Sequence, residues 1–218
     1  MDRERLRANV ERVRERIRAA AGGREVALVA VTKYVAPDVI DALAECGITD
    51  CAENRVLEGL DRVAQVRGRF RWHFVGHLQT NKVRRALERF EVIHSIDRWE
   101  AAAEIQKQLD RHNKRVSGFV QVNVSGEGTK GGIGPDGAAA LVKRLRAECP
   151  RIDLLGLMTM APHTEDPEAS RPVFRRMREL RESCGVAGLS MGMTADFEVA
   201  IAEGATHVRI GSALFEGI

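Results

Sequence analysis

The sequence predicts an α/β fold: a single (β/α)8 TIM barrel spanning residues 1–218, with an N-terminal helix completing the outer ring. Three observations carry this. Eight short apolar runs rich in Val, Ile and Phe alternate with longer charged segments of helical period. The runs are nearly continuous in apolar residues, the pattern of parallel strands covered on both faces. Finally, 218 residues suffice for eight strand–helix units, and no Pro/Gly/Ser-rich linker or long charge block divides them.

The first segment, MDRERLRANVERVRERIRAA, places Leu6, Val10, Val13, Ile17 and Ala20 at helical spacing, with charge on the other faces. Acidic residues interleave with the arginines, so it reads as an amphipathic helix and not as an RNA-binding arm. The AGG that follows ends it. The strands are then EVALVAVTK (25–33), ITDCAEN (48–54), RWHFVGH (71–77), EVIHSID (91–97), SGFVQVNVS (117–125), IDLLGLMTM (152–160), AGLSMGM (187–193) and THVRIGSALF (206–215). One helix candidate lies between each consecutive pair. Pro37, Pro135 and Pro167 stand where helices would start, which suits the first-turn preference of proline. Repeated strand–helix–strand units pair in parallel through right-handed crossovers. Little chain follows the eighth strand, so the N-terminal helix is expected to fill the eighth place in the ring. An open doubly wound sheet is the competing fold. Eight parallel strands without a dinucleotide glycine fingerprint speak against it.

Composition narrows the function classes. Lys and Arg total 34 against 31 Asp and Glu, a formal net charge of +3, which is no footprint of a nucleic-acid binder. No apolar stretch reaches membrane-spanning length, and no basic-then-apolar signal segment opens the chain. Cys46, Cys51, Cys149 and Cys184 show no C-x-x-C spacing. Free thiols and a reducing compartment follow, so the expected location is cytoplasmic.

In such barrels chemistry gathers at the strand C-termini, and phosphate groups are often held by the loops after strands 7 and 8. Lys33 ends the first strand. A lysine amine in a partly desolvated mouth becomes nucleophilic and can condense with an aldehyde or ketone; snorkelling to water is the alternative. Ser190 and Gly192 lie in a small turn after strand 7, ahead of a helical run for which Thr194 is a plausible N-cap. Gly211 and Ser212 form a second such turn after strand 8. Side by side, the two turns read as a phosphate cup. Arg209 shares a strand face with Gly211; a ligand contact and an internal salt bridge, for instance with Asp97, are both open.

Other motifs carry less. NVSGEGTKGGIGPDG (123–137) lacks P-loop glycine spacing and reads as a mobile βα loop, with Lys130 a minor candidate for a ligand contact. His73 and His77 share a face of strand 3, but no third metal ligand converges on them, so they read as core or rim histidines. Glu53 and Asp97 read as general bases or, more plainly, as capping and ion-pair residues.

With these pieces placed, LVAVTK, AENRVLE, WHFVGHLQTNK, IHSID, QVNVSGEGTKGG, GLMTM, LSMGMTADFEVAI and VRIGSALF resemble the ordered motifs of the pyridoxal 5'-phosphate homeostasis family. These are single-domain barrels similar to the N-terminal domain of alanine racemase, the fold-type III kind that binds pyridoxal phosphate. The resemblance runs from about residue 25 to the C-terminus. It implies that Lys33 holds the cofactor as an internal aldimine. It implies that Ser190, Gly192, Gly211 and Ser212 bind the phosphate, that Arg209 faces the pyridine nitrogen, and that Asn54 lies beside the ring. One departure is visible: many members read Ser-Lys-Thr-Lys-Pro at the first strand end, whereas here Tyr34 and Val35 follow Lys33 and no second lysine is present.

An arginine at the pyridine nitrogen disfavours ring protonation and weakens the cofactor as an electron sink. Racemization also needs a proton donor on each face of the substrate carbon. In the resembling racemases the second donor is a tyrosine from an additional domain, whereas the one tyrosine here is Tyr34. The expectation is therefore a protein of intracellular cofactor homeostasis without catalytic turnover. The alternatives are an amino-acid racemase of the alanine racemase type and a class I aldolase-like barrel. The implied partners are pyridoxal phosphate itself and apo-enzymes that require it, with no nucleic acid and no membrane, and the chain is expected to be a monomer.

Overall fold

The computed structural model describes residues 1–128 and 131–218. Helix α1 (Arg3–Ala21) is capped by Asp2, whose carboxylate accepts from the Arg5 N–H at 2.9 Å. It ends at Gly22, whose left-handed conformation (φ 56°) glycine adopts without a Cβ clash. There follow β1 (Ala27–Val31), α2 (Pro37–Glu45), β2 (Asp50–Glu53), α3 (Val56–Val63), β3 (Arg71–Phe74), α4 (Val83–Ala86), β4 (Val92–Ile96) and α5 (Trp99–His112). The second half holds β5 (Val116–Gln121), α6 (Pro135–Glu148), β6 (Ile152–Met158), α7 (Arg171–Cys184), β7 (Gly188–Ser190), α8 (Phe197–Ala202) and β8 (His207–Ile210). The strands pair in parallel in chain order and close into a barrel, with Ala27 of β1 opposite His207 of β8 and Val29 opposite Arg209.

Helix α1 takes the vacant place in the ring, between α8 and α2. Its Arg16 guanidinium lies 4.6 Å from the Phe197 ring and its Nε donates to Glu198 at 2.6 Å, while Arg3 pairs with Glu45. Leu6, Val10, Val13 and Ile17 are buried as their spacing predicts; Ala20 is only half-buried and Ala21 completes the stripe. Pro37 and Pro135 open α2 and α6. Pro167 instead opens a short 3-10 turn, and α7 begins four residues later at Arg171. All four cysteines are free. Among the described residues no helix is long and apolar enough to cross a membrane.

The large apolar core lies between strands and helices. The barrel interior is different. Its apolar part is a small cluster of Val92, Phe119 and Met158, and imidazoles pack on it: His94 and His207 lie 4.6 and 5.1 Å from the Phe119 ring. The rest of the interior is polar, with His73, His94, Ser190 and Arg209 all buried. Branched apolar residues would fill such a space at lower cost.

The strands are shorter than their apolar runs. Strand β8 stops at Ile210 because the chain turns at Gly211, where the Leu214 and Phe215 N–H groups donate back to Gly211 and Ser212 carbonyls. Strand β1 stops at Val31, two residues before Lys33.

Candidate functional site

The strand C-termini surround a cavity of about 330 Å³, within the usual range for a small-ligand site of roughly 300–1,000 Å³. Lys33, Asn54, His77, Gln121, Met193 and Arg209 are on its wall. Three of the residues singled out from the sequence, Lys33, Asn54 and Arg209, therefore meet at one site.

Lys33 stands on a turn. Thr32, fully buried, carries the bonding to β2 one residue past the end of β1: its N–H donates to the Ala52 carbonyl at 2.9 Å and its hydroxyl to Glu53 Oε1 at 2.6 Å. The Val35 N–H then donates to the Thr32 carbonyl at 2.9 Å, closing a tight turn that presents Lys33 and Tyr34 outward. Lys33 is exposed on the rim, not seated on a strand end as expected, and its Nζ lies 5.4 Å from the Tyr34 ring centroid. Glu53 anchors this turn from below. It is buried and pairs with Arg62 Nε at 3.1 Å. Burial raises its pKa against the opposing pull of Thr32 and Arg62.

Asn54 follows Glu53 at the mouth. Its placement depends on Gly76, where a Cβ would sit 1.9 Å from the Asn54 carbonyl oxygen. Arg209 comes from β8, and burial pushes its guanidinium down to about 10, with Asp196 opposing the drop. It remains a cation at neutral pH. Among the described residues no carboxylate accepts from it: Nη1 donates to Ser190 Oγ at 2.6 Å and Nη2 to the Thr159 carbonyl at 2.8 Å. The salt bridge with Asp97 does not form. Asp97 pairs with Arg98 at 2.6 Å and with His77 at 3.5 Å.

The turns after β7 and β8 lie side by side, since the Arg209 N–H donates to the Gly192 carbonyl at 3.0 Å. Gly192 is left-handed (φ 94°), and a Cβ there would come within 2.7 Å of the Ala200 Cβ. Among the described residues no backbone carbonyl accepts from the N–H groups of Gly192, Thr194, Gly211 or Ser212. Gly192 and Gly211 adjoin the cavity through Met193 and Val31, whereas Ser212 is not on its wall. Two expectations change. Thr194 is not the N-cap: α8 begins at Phe197 behind Asp196, whose buried carboxylate accepts from the Met193 N–H at 2.7 Å. The Ser190 hydroxyl points into the barrel, bonded to Arg209 and, at 2.9 Å, to His94 Nδ1.

The loop after β5 folds back over the strand. Val122 bridges Ile133, the Ile133 N–H donates to Gln121 at 2.9 Å, and the Gln121 side chain donates to the Gly131 carbonyl at 2.8 Å. Asn123 and Ser125 bond within this loop. Lys130 lies outside the described residues. His73 is buried in the barrel while His77 is on the rim, and the described residues hold no group of three metal-ligating side chains. Sequence reasoning missed Gln121, Asp196 and His94. For His94 the signal was there: a histidine midway along a short run, VIHSI, that is apolar but for Ser95.

The family model described as the N-terminal domain of alanine racemase matches residues 1–217. A pyridoxal phosphate homeostasis protein of Aquifex aeolicus is 43% identical over 220 residues, covering 97% of this chain and 96% of the relative. One of Pseudomonas aeruginosa is 38% identical, covering 95% and 93%. PipY of Synechococcus elongatus, solved with PLP bound, superposes with a TM-score of 0.87 at 27% identity, covering 96% of this chain and 99% of PipY. An alanine racemase of Clostridium difficile shares the fold at a TM-score of 0.75 and 16% identity, over 97% of this chain and 56% of the racemase. A closed parallel barrel, a family match along nearly the whole chain and relatives of this identity lead to one conclusion: the chain belongs to the pyridoxal phosphate homeostasis family, built on the alanine racemase N-terminal barrel.

Proposed function

We propose that this chain binds pyridoxal 5'-phosphate in the barrel mouth, as a Schiff base on Lys33, and serves intracellular homeostasis of the cofactor without catalytic turnover. One observation carries the reading: a single cavity wall gathers an amine, an amide and a buried guanidinium beside two glycine turns with free N–H groups. This donor set fits the cofactor. Lys33 supplies the nucleophile, Asn54 flanks the ring, and Arg209 faces the ring nitrogen. Gly192, Gly211 and Ser212 offer backbone N–H groups to the phosphate. Ser190, whose hydroxyl is engaged inside the barrel, acts by holding Arg209. The names of the relatives and the cofactor bound in PipY support the same assignment.

When bound, the cofactor supplies an electrophilic aldehyde and a conjugated ring that accepts electrons. Arg209 keeps a positive charge at the ring nitrogen and so opposes protonation there. Tyr34, 79% exposed beside Lys33, is not set across the cavity to deliver a proton to an opposite face. Holding and releasing the cofactor is what remains for these residues to do. In this reading the protein is a cytoplasmic monomer, a single barrel domain, and its partners are apo-enzymes that need the cofactor. Light scattering should return one chain's mass.

The test is borohydride reduction of cofactor-loaded protein followed by peptide mass spectrometry. A pyridoxyl adduct on the Lys33 peptide is expected, and its absence from that peptide would remove the assignment. A second reading, an amino-acid racemase, draws on His77: backed by Asp97, it lines the same cavity as Lys33 and offers a proton-transfer group. Deuterium incorporation at the α-carbon of alanine or serine in heavy water would favour that reading.

A further inference from the structure

A continuous chain of hydrogen bonds crosses the polar interior of the barrel and ends on Arg209. Asp50, the first residue of β2, approaches His73 Nε2 at 2.8 Å. His73 Nδ1 lies 2.8 Å from His94 Nε2, and His94 Nδ1 lies 2.9 Å from Ser190 Oγ. Ser190 Oγ takes the Arg209 Nη1 proton at 2.6 Å. Strands β2, β3, β4, β7 and β8 each contribute one member.

With both imidazoles neutral, one order of protons fits. Arginine has donors alone, so Ser190 accepts from it and its own O–H is free to donate to His94 Nδ1. At the far end, burial would raise Asp50, but hydrogen bonds from His73 and Thr49 outweigh it and keep a carboxylate there. A carboxylate only accepts, so His73 Nε2 carries a proton. A neutral His73 then accepts at Nδ1, His94 donates from Nε2, and His94 Nδ1 is left to accept from Ser190. The two ends meet without conflict. Any reversed member would set two donors or two acceptors face to face at under 3 Å. Burial, reinforced at His94 by the cationic neighbours, holds both imidazoles toward the neutral form this order requires.

Such a chain is expensive. Three fully buried polar side chains, His73, His94 and Ser190, occupy space that leucine or valine would fill without any need for partners. None of the three pairs Arg209 with a negative charge, so the chain does not serve to neutralise it. What it does is hold the guanidinium at Nη1 through Ser190, on a residue that also lines the cavity.

We propose that Asp50, His73, His94 and Ser190 form a proton-ordered relay of positioning residues that orients Arg209 toward the mouth and sets the polarity of its ligand-facing edge. The inference rests on the reading that a cofactor ring faces Arg209. Asp50, at the N-terminal end of its strand, is thereby coupled to a ligand it cannot touch.

The chain itself is tested in cofactor-free protein by NMR of 15N-labelled histidines. His73 and His94 should each show the Nε2–H tautomer with a bare Nδ1; a proton on His94 Nδ1 would overturn the order. Coupling to the mouth is tested by adding pyridoxal 5'-phosphate and following its visible absorption. Ser190→Ala should move the band and weaken retention roughly tenfold, the factor for losing one charge-assisted bond. Ser190→Thr should restore both. Asp50→Asn should shift the band in the same direction while the melting temperature stays close to the parent's, which a merely structural role would not produce. If Ser190→Ala and Asp50→Asn leave band and affinity unchanged while Lys33 still takes the borohydride adduct, the relay is refuted and the cofactor reading stands. If the parent protein shows no adduct at Lys33, the cofactor reading fails, and the tautomers alone decide the chain.

Discussion

Arg209→Met measures what the barrel gives up to keep a cation inside it. Burial lowers the guanidinium from the ordinary arginine range to about 10. At about 1.36 kcal/mol per pKa unit, this penalises the charged folded protein by roughly 3 kcal/mol. Two hydrogen bonds oppose that cost, to Ser190 Oγ at 2.6 Å and to the Thr159 carbonyl at 2.8 Å. With a charged donor each contributes about 1.5–3 kcal/mol, so together about 3–6. The net stabilisation by Arg209 is then between about 0 and 3 kcal/mol, small for a buried residue with two short bonds. The sign is definite: the group is charged in both states at neutral pH, and the cost is relieved only as pH rises through about 10. Arg209→Met should therefore fold, with a urea-derived stability within about 3 kcal/mol of the parent in cofactor-free protein. The same variant should retain pyridoxal 5'-phosphate poorly and alter its visible band. A loss beyond about 5 kcal/mol, or an unchanged band and affinity, would refute the reasoning by making Arg209 a structural keystone or a bystander.

Three other changes test the surroundings. Gly76→Ala puts a Cβ 1.9 Å from backbone oxygen, which no rotamer change relieves; it should cost at least the usual overpacking penalty of about 1–3 kcal/mol and displace Asn54, read as a lower Tm and weaker cofactor retention. Because burial raises Glu53, the folded chain binds that proton more readily than the unfolded one, and stability falls as pH rises from the usual carboxylate value through the raised one; Glu53→Gln should flatten that decline in urea midpoints taken from about pH 4 to 7. His207 is held down to about 4, chiefly by burial, so the unfolded chain takes up its proton first below about pH 6.5, and up to roughly 3 kcal/mol is lost on the way to pH 4. His207→Gln should remove that share, seen as a smaller drop in Tm between about pH 7 and 4.5.

The sequence by itself determined the barrel. Strand order, parallel pairing and the place of α1 in the ring follow from apolar runs, helical spacing and the prolines at 37 and 135, all of them local signals. It also brought Lys33, Asn54 and Arg209 into view as strand-end residues of one site. Tertiary structure alone decided where the strands stop and which way the polar residues face. Lys33 stands on a rim turn closed by the Val35 N–H on the Thr32 carbonyl, and the Thr32 hydroxyl is held by Glu53 of the neighbouring strand. Ser190 turns inward because His94 and Arg209 converge on its hydroxyl from β4 and β8. α8 begins behind Asp196, not Thr194, and the Asp196 carboxylate takes the Met193 N–H instead of bonding into the helix. The Thr32 and Ser190 contacts share a physical reason: period and composition report on one segment at a time, while barrel closure and strand stagger choose partners 21 and 96 residues away.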